Sequence, residues 1–402
     1  MVLEQEKRDW LTLTLIPGLG SAHFIRLLAR FKSPGDVLNA SRAALEEVVG
    51  RQVAERITQY ADVADVDAQE RAMAKYGVTL VTLEDPAYPL LLAEIYDPPL
   101  VLFVRGQMLN PDENCVGIVG TRRASPYGLR MAEKFGRELA SRNITVVSGL
   151  AAGVDAAAHR GAMEAGGRTI AVLGCGVDVV YPRQNEALME RMCQEQTVVS
   201  QFFMGMGPIA GNFPYRNRII SGMSLGTLIV EAPRRSGALI TAKQAAEQGR
   251  EVFAIPGQIG VQNSEGPHLL IQEGAKLVQT VEDILVELEL DQELRVSAAP
   301  AQQKESAPAP VSKPARPEPA PVRNEPQALR PPEPRPMPAQ AAAPAPSGVE
   351  KAILGKLSAN GSHVDEIAEA CRISVSEALS SLTMLELKGL VRQFSGKRFA
   401  PR

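Results

Sequence analysis

Short apolar runs ending at Val119, Val147, Leu173, Ser200, Val230 and Ile255 recur through the middle of the chain, separated by stretches of helical spacing. The runs are nearly continuous in apolar residues rather than alternating, as expected of strands covered on both faces. The region 76–290 therefore reads as βαβ units around a largely parallel sheet, an α/β fold. Runs at 78–83 and 100–104 add two earlier strands.

Residues 1–75 carry a different pattern, that of short helices. Ile16-Pro17-Gly18-Leu19-Gly20 precedes Phe24, Leu27, Leu28 and Phe31 at helical spacing. A P-G-x-G turn between helices reads as a helix-hairpin-helix or SAM-like domain, whose hairpin amides can contact a DNA backbone. A glycine turn without a ligand fits equally well. Residues 291–348 lose aliphatic periodicity and hold half of the 30 prolines, so they are expected to act as an extended tether. Order returns over 349–402, with helical patterns at 349–357, 364–370 and 375–387. A hairpin turning at Ser395-Gly396 follows, which together suggest a winged helix. Its basic end can touch nucleic acid, dock a protein or simply be solvated.

Composition narrows the class. The chain is 45% hydrophobic and 22% charged with a net charge of −3, so nucleic-acid binding requires a local patch rather than a global field. Cys115, Cys175, Cys193 and Cys371 form no C-x-x-C pair, and His23, His159, His268 and His363 show no metal-ligand spacing. No metal or cofactor is expected. A polar N-terminus and the lack of an apolar run of about 18 residues predict no signal peptide, no membrane and a cytoplasmic protein.

The candidate chemistry lies where the apolar runs end. Gly120-Thr121-Arg122-Arg123 follows the first run, Ser148-Gly149-Leu150-Ala151-Ala152-Gly153 the second, and Glu231 through Ser236-Gly237 the fifth. Glycine admits close backbone approach, and free amides at a helix start attract anions. Arg122, Arg123, Arg183, Arg216, Arg218, Arg234 and Arg235 fall at these ends or in the loops after them, with Tyr127, Tyr181, Phe213 and Tyr215 interleaved. One positive groove with stacking rings is the expectation, with a single-nucleotide site as the alternative. No G-x-x-x-x-G-K-[ST] run is present, which removes a P-loop ATPase.

These residues resemble a known family, the DprA (Smf) DNA-processing proteins of natural transformation. The resemblance rests on Gly120-Thr121-Arg122 with Ser125 and Tyr127-Gly128, and on Ser148-Gly149-Leu150-Ala151 with Gly153, Asp155 and His159. It continues through Ala171-Val172-Leu173-Gly174 with Gly176 and Tyr181-Pro182, Phe213-Pro214 with Arg216-Asn217-Arg218, Ser236-Gly237-Ala238 and Pro256-Gly257. It implies an extended Rossmann-like core that binds single-stranded DNA, helps load the recombinase RecA and self-associates. By motif position, it implies DNA contacts at Arg122 and Arg183, and the F-P-x-R-N-R motif places Arg216 and Arg218 beside them. Together with the turns, the candidate DNA site comprises Gly120, Thr121, Arg122, Arg123, Ser148, Gly149, Gly153, Arg183, Phe213, Arg216, Asn217, Arg218, Ser236 and Gly237. The candidate dimer surface comprises His268, Leu269, Ile271 and Leu277. Where the family pattern has Ser-Glu after the fourth core strand, this chain has Ser200-Gln201, which weakens the case for a catalytic carboxylate there. The expectation is a non-catalytic mediator. A nucleotide hydrolase using Asp155, His159 or Glu231 is the rival, and a structural adaptor with a vestigial pocket is a third reading.

Overall fold

A computed structural model describes residues 3–60, 65–106, 114–290, 348–358, 362–371, 373–374, 378, 381–382, 385, 390–394 and 398–401. The chain divides into two compact units, 1–305 and 306–402. The tether assigned to 291–348 lies, up to residue 347, outside the described residues.

Among the described residues the first unit opens with the helices α1 Gln5–Leu15, α2 Ser21–Phe31, α3 Pro34–Asn39, α4 Arg42–Val49, α5 Arg51–Thr58 and α6 Val66–Tyr76. Side-chain caps fix the starts of three of them. Ser33 accepts from the Asp36 amide, Ser41 from Ala44 and Asp65 from Ala68. Trp10 stacks on Phe24 with centroids 4.7 Å apart, and Leu11, Leu27, Leu45 and Ile57 close around them. This core is continuous with Leu80, Phe103, Ala171 and Val198 of the sheet, so the helical layer shares its interior with the α/β part.

Nine strands form that sheet: β1 Thr79–Thr82, β2 Val101–Arg105, β3 Cys115–Val119, β4 Thr145–Ser148, β5 Thr169–Val172, β6 Thr197–Ser200, β7 Gly226–Ile229, β8 Glu251–Ala254 and β9 Lys276–Leu277. Their order is β1-β2-β6-β5-β4-β3-β7-β8-β9. From β6 to β9 all neighbours run parallel, as the unbroken apolar runs require. The β1–β2 and β2–β6 pairs are antiparallel. Between β1 and β2 the chain makes only one short helix, α7 Leu90–Ala93, which packs against α11 instead of crossing the sheet.

The helices of the parallel part are α8 Pro126–Ala140, α9 Val154–Glu164, α10 Glu186–Glu195, α11 Asn212–Gly222, α12 Gly237–Glu247, α13 Glu265–Gln272 and α14 Val281–Glu287. One sheet face is covered by α8, α9 and α14, through Phe135, Leu139, Ala157 and Ile284. The other is covered by α7, α11 and α12, through Leu92, Ile219, Ile220 and Ala242. The chain steps from β3 outward to β6, then returns to place β7 on the opposite side of β3. Strand order reverses between β3 and β7, and the carboxyl ends there are the usual ligand position in an open α/β sheet.

The second unit contains α15 Gly348–Leu354, α16 Val364–Cys371 and the strands β10 Ser362–His363, β11 Val391–Phe394 and β12 Arg398–Pro401. The strands pair antiparallel in the order β10-β12-β11 around Ile353, Ile367, Val391 and Phe399. The helix assigned to 375–387 and the turn at Ser395-Gly396 lie largely outside the described residues.

Each unit holds its own apolar cluster. A chain ending at residue 290 should therefore melt within about 2 °C of the full-length protein's core transition by circular dichroism. A much lower midpoint would show that the core draws stability from the terminal unit.

A candidate phosphate-binding cleft at the switch point

The ends of β3 and β7 line a cleft of about 650 Å³, with α11 and α12 on its other side. Gly120, Thr121, Arg122, Arg123, Phe213, Arg216, Asn217, Ser236 and Gly237, all candidates on sequence, meet in its lining. Four guanidinium groups (Arg122, Arg123, Arg216 and Arg235) face a single carboxylate, Asp155. At the start of α12, Ser236 caps the helix by accepting from the Ala238 amide at 3.3 Å, and nothing crowds Gly237. This helix entrance is open to an anion.

The arginines play two different parts. Arg122, Arg123 and Arg235 are exposed, and among the described residues no carboxylate stands within ion-pair distance of them. Arg122 lies over the Phe213 ring at 5.1 Å, and Phe213 in turn packs on Tyr181 with centroids 5.3 Å apart. A cation and two mutually tilted rings thus form one wall.

Arg216 is only 4% exposed and forms the floor. It donates to the Gly149 carbonyl at 2.9 Å and to the Val172 carbonyl, joining the ends of β4 and β5. Burial pushes its guanidinium down to about 10, while Asp155 pulls in the opposite direction. The Asp155 carboxyl is raised by burial, against the stabilising pull of Arg216 and the amides of Ala151 and Gly149. The Nε of Arg216 has no hydrogen-bond partner among the described residues. Gly149 is a glycine for steric reasons: a Cβ there would lie 2.6 Å from the Arg216 guanidinium and 2.7 Å from Asp155. Gly153 holds φ at +81° as the chain turns into α9, and a Cβ would strike the Thr121 carbonyl.

Other candidates sit apart from the lining. The Ser148 side chain is wholly buried and donates to the Ile118 carbonyl at 2.6 Å, so it ties β4 to β3 instead of meeting a ligand. Arg218 is buried as well; it donates to Gln201 at 2.7 Å and approaches Asp97 at 3.4 Å. In this arrangement it is a bracing arginine rather than an open phosphate clamp, because packing turns it to the flank of α11. Arg183 is exposed at the start of a short 3-10 helix, Arg183–Asn185, that precedes α10, outside the lining. His268 is half-buried against the Gly257 carbonyl at 2.9 Å, Leu269 and Ile271 are half-buried, and Leu277 is exposed on the edge strand β9.

Glu231 is held on every side. It accepts from the Ser125 amide at 2.8 Å, the Ser125 hydroxyl at 2.5 Å and Asn263 at 3.3 Å. Asn263 also donates to the Arg123 carbonyl at 3.1 Å, so one carboxylate and one amide shape the arginine turn. Sequence reading missed Ser125, Asn263 and Asp97 in these roles, since their partners lie up to 140 residues away.

His159 does not reach the cleft. Its Nδ1 is 2.7 Å from the Thr169 hydroxyl, which donates to the Val146 carbonyl and therefore accepts from the ring. Burial pushes the imidazole down to about 3, so the folded ring stays neutral. An unfolded histidine takes a proton near pH 6.5. Between those values the unfolded state binds more protons, and stability falls on acidification by up to about 1.4 kcal/mol per pH unit. The raised Asp155 carboxyl works with the opposite sign, so a difference measurement isolates the histidine. His159→Asn should gain on the parent in urea midpoint as pH drops from 7 to 5; parallel curves would contradict a neutral, buried ring.

A family model described as DNA recombination-mediator protein A matches residues 79–289, and one described as DprA winged helix domain matches 337–397. Protein Smf of Synechocystis is 34% identical over 99% of this chain and 99% of its own length. DNA processing protein DprA of Streptococcus pneumoniae is 46% identical over 51% of this chain and 72% of its own. The X-ray structure of DprA from Streptococcus pneumoniae superposes with a TM-score of 0.62 at 35% identity, covering 71% of this chain and 99% of that one. With the switch-point cleft, the glycine turns and the terminal winged-helix match all in agreement, the chain belongs to the DNA recombination-mediator protein A (DprA) family.

Proposed function

We propose that this family member binds single-stranded DNA in the switch-point cleft and presents it to a RecA-class recombinase, with no chemical step of its own. The observation that carries the reading is the lining itself: four arginines against one buried carboxylate, beside an open helix start and the Phe213–Tyr181 wall. Exposed cations neutralise phosphates, and ring faces accept any base, a combination suited to sequence-tolerant single strands. Arg122, Arg123 and Arg235 would meet phosphates, the Gly120 and Ser236-Gly237 turns would supply amides, and Arg183 would extend the basic rim.

Binding without catalysis is favoured by the state of the acidic groups. Glu231 is consumed by three donors, His159 is neutral and away from the cleft, and Asp155 is buried against Arg216. The recombinase partner and a cytoplasmic site of action follow from the resemblance. Among the described residues no helix is long and apolar enough to cross a membrane. Self-association is proposed through Ile271, Leu277 and their surroundings. Leu277 is exposed on the sheet's last strand, next to a groove of about 610 Å³ that includes Leu239, Ala242, Leu269 and Leu270.

Log affinity for single strands should fall with log salt by about 0.7 per phosphate contact. Arg122→Ala and Arg235→Ala should each lower that slope by about this amount and weaken binding in anisotropy titrations. A double variant with unchanged affinity and slope would remove the cleft from consideration. ATP hydrolysis that vanishes in a folded Asp155→Ala variant would instead establish the enzyme reading. For the dimer, Leu277→Glu should give a folded monomer in sedimentation; a persistent dimer would place the interface elsewhere.

A further inference from the structure

Five α11 residues line the cleft: those at positions 213, 216, 217 and 220, at the spacing of one helical face, and Pro214 at the edge of that face. Tyr215 and Arg218 occupy the neighbouring face, outside that lining. There the Arg218 guanidinium lies 4.2 Å from the centroid of the Tyr215 ring. The Tyr215 hydroxyl donates to an Asp97 oxygen at 2.9 Å, the same oxygen that attracts Arg218. The other Asp97 oxygen accepts from the hydroxyl of Ser21, the first residue of α2. One carboxylate thus holds an arginine, a tyrosine and the helical layer together.

Two consequences follow for the ring. Arg218 is neutralised by Asp97 and its remaining acceptor, Gln201, is uncharged, so its guanidinium stays beneath Tyr215. Tyr215 is fixed by its hydroxyl and one face, yet remains 48% exposed. An exposed tyrosine ordinarily gives up rotamer freedom when it stacks; this one has already lost it, so stacking costs less. Pro214, its neighbour in sequence, lines the cleft, so the ring lies on the direct continuation of the site.

We propose that Tyr215 is a pre-organised base-stacking platform outside the cleft, created by Asp97 holding Arg218 under the ring, and that it receives a base of the strand as that strand leaves the cleft past Pro214. The proposal rests on the cleft binding single strands. It makes Asp97 a positioning residue and assigns Arg218 to the ring instead of to a phosphate.

The test uses the full-length protein and oligothymidylates of graded length, in anisotropy titrations at several salt concentrations. Tyr215→Ala, its fold checked by far-UV circular dichroism, should bind long strands about tenfold more weakly. It should bind the shortest strands that saturate the cleft as the parent does, and its salt slope should be unchanged because no charge is lost. Tyr215→Phe, which keeps the ring and the arginine beneath it, should recover most of the lost affinity. Parent-like binding by Tyr215→Ala at every length, or a reduced slope like that of Arg122→Ala, would overturn the platform while leaving the cleft standing. Failure of the unaltered protein to bind any strand would overturn both.

Discussion

The cleft depends on one buried cation. Arg216 carries its charge to the ends of β4 and β5, where it is buried and donates to the Gly149 and Val172 carbonyls. Burying a guanidinium is costly unless its charge is opposed, and Asp155 supplies the opposing charge from the first turn of α9. The pair explains the glycine above it, since a side chain at position 149 would occupy the same space. It also joins α11, α9 and two strands, so the floor is rigid before any ligand arrives.

A second clamp orders the rim. Glu231 and Asn263 bind the turn that carries Arg122 and Arg123, and the Thr121 amide donates to the Glu231 carbonyl at 2.7 Å. The two exposed arginines therefore project from a fixed backbone. Their like charges are held close together without neutralising carboxylates, an arrangement that favours an incoming polyanion over water and counterions. The same clamp occupies the Glu231 carboxylate with donors from Ser125 and Asn263.

The helical layer belongs to this design rather than standing beside it. Its core runs into β1, β2, β5 and β6, and Ser21 reaches Asp97 at the flank of α11. The antiparallel strands β1 and β2 extend the sheet past β6 and give that layer a surface to rest on.

Much of this was legible in the residues alone. Strands ending at Val119, Val147, Ser200 and Ile255 were readable within one residue of their observed ends, because strands buried on both faces must be apolar throughout. The glycine turns were readable for a related reason: few other residues permit such close approach. Strand direction at the β1–β2 edge was not readable, since an apolar run looks the same in either orientation. Nor were the roles of the arginines. Arg122, Arg216 and Arg218 are the same residue type in two strand-end motifs, and the sequence offers all three alike to DNA. Their different fates depend on partners far along the chain: Gly149 and Val172 for one, Asp97 and Gln201 for another, the Phe213 ring for the third. Sequence alone determined where cations and turns would gather. Only tertiary packing decided which cation is buried as structure, which braces a ring and which stays open to a ligand, because burial and pairing are properties of neighbours in space.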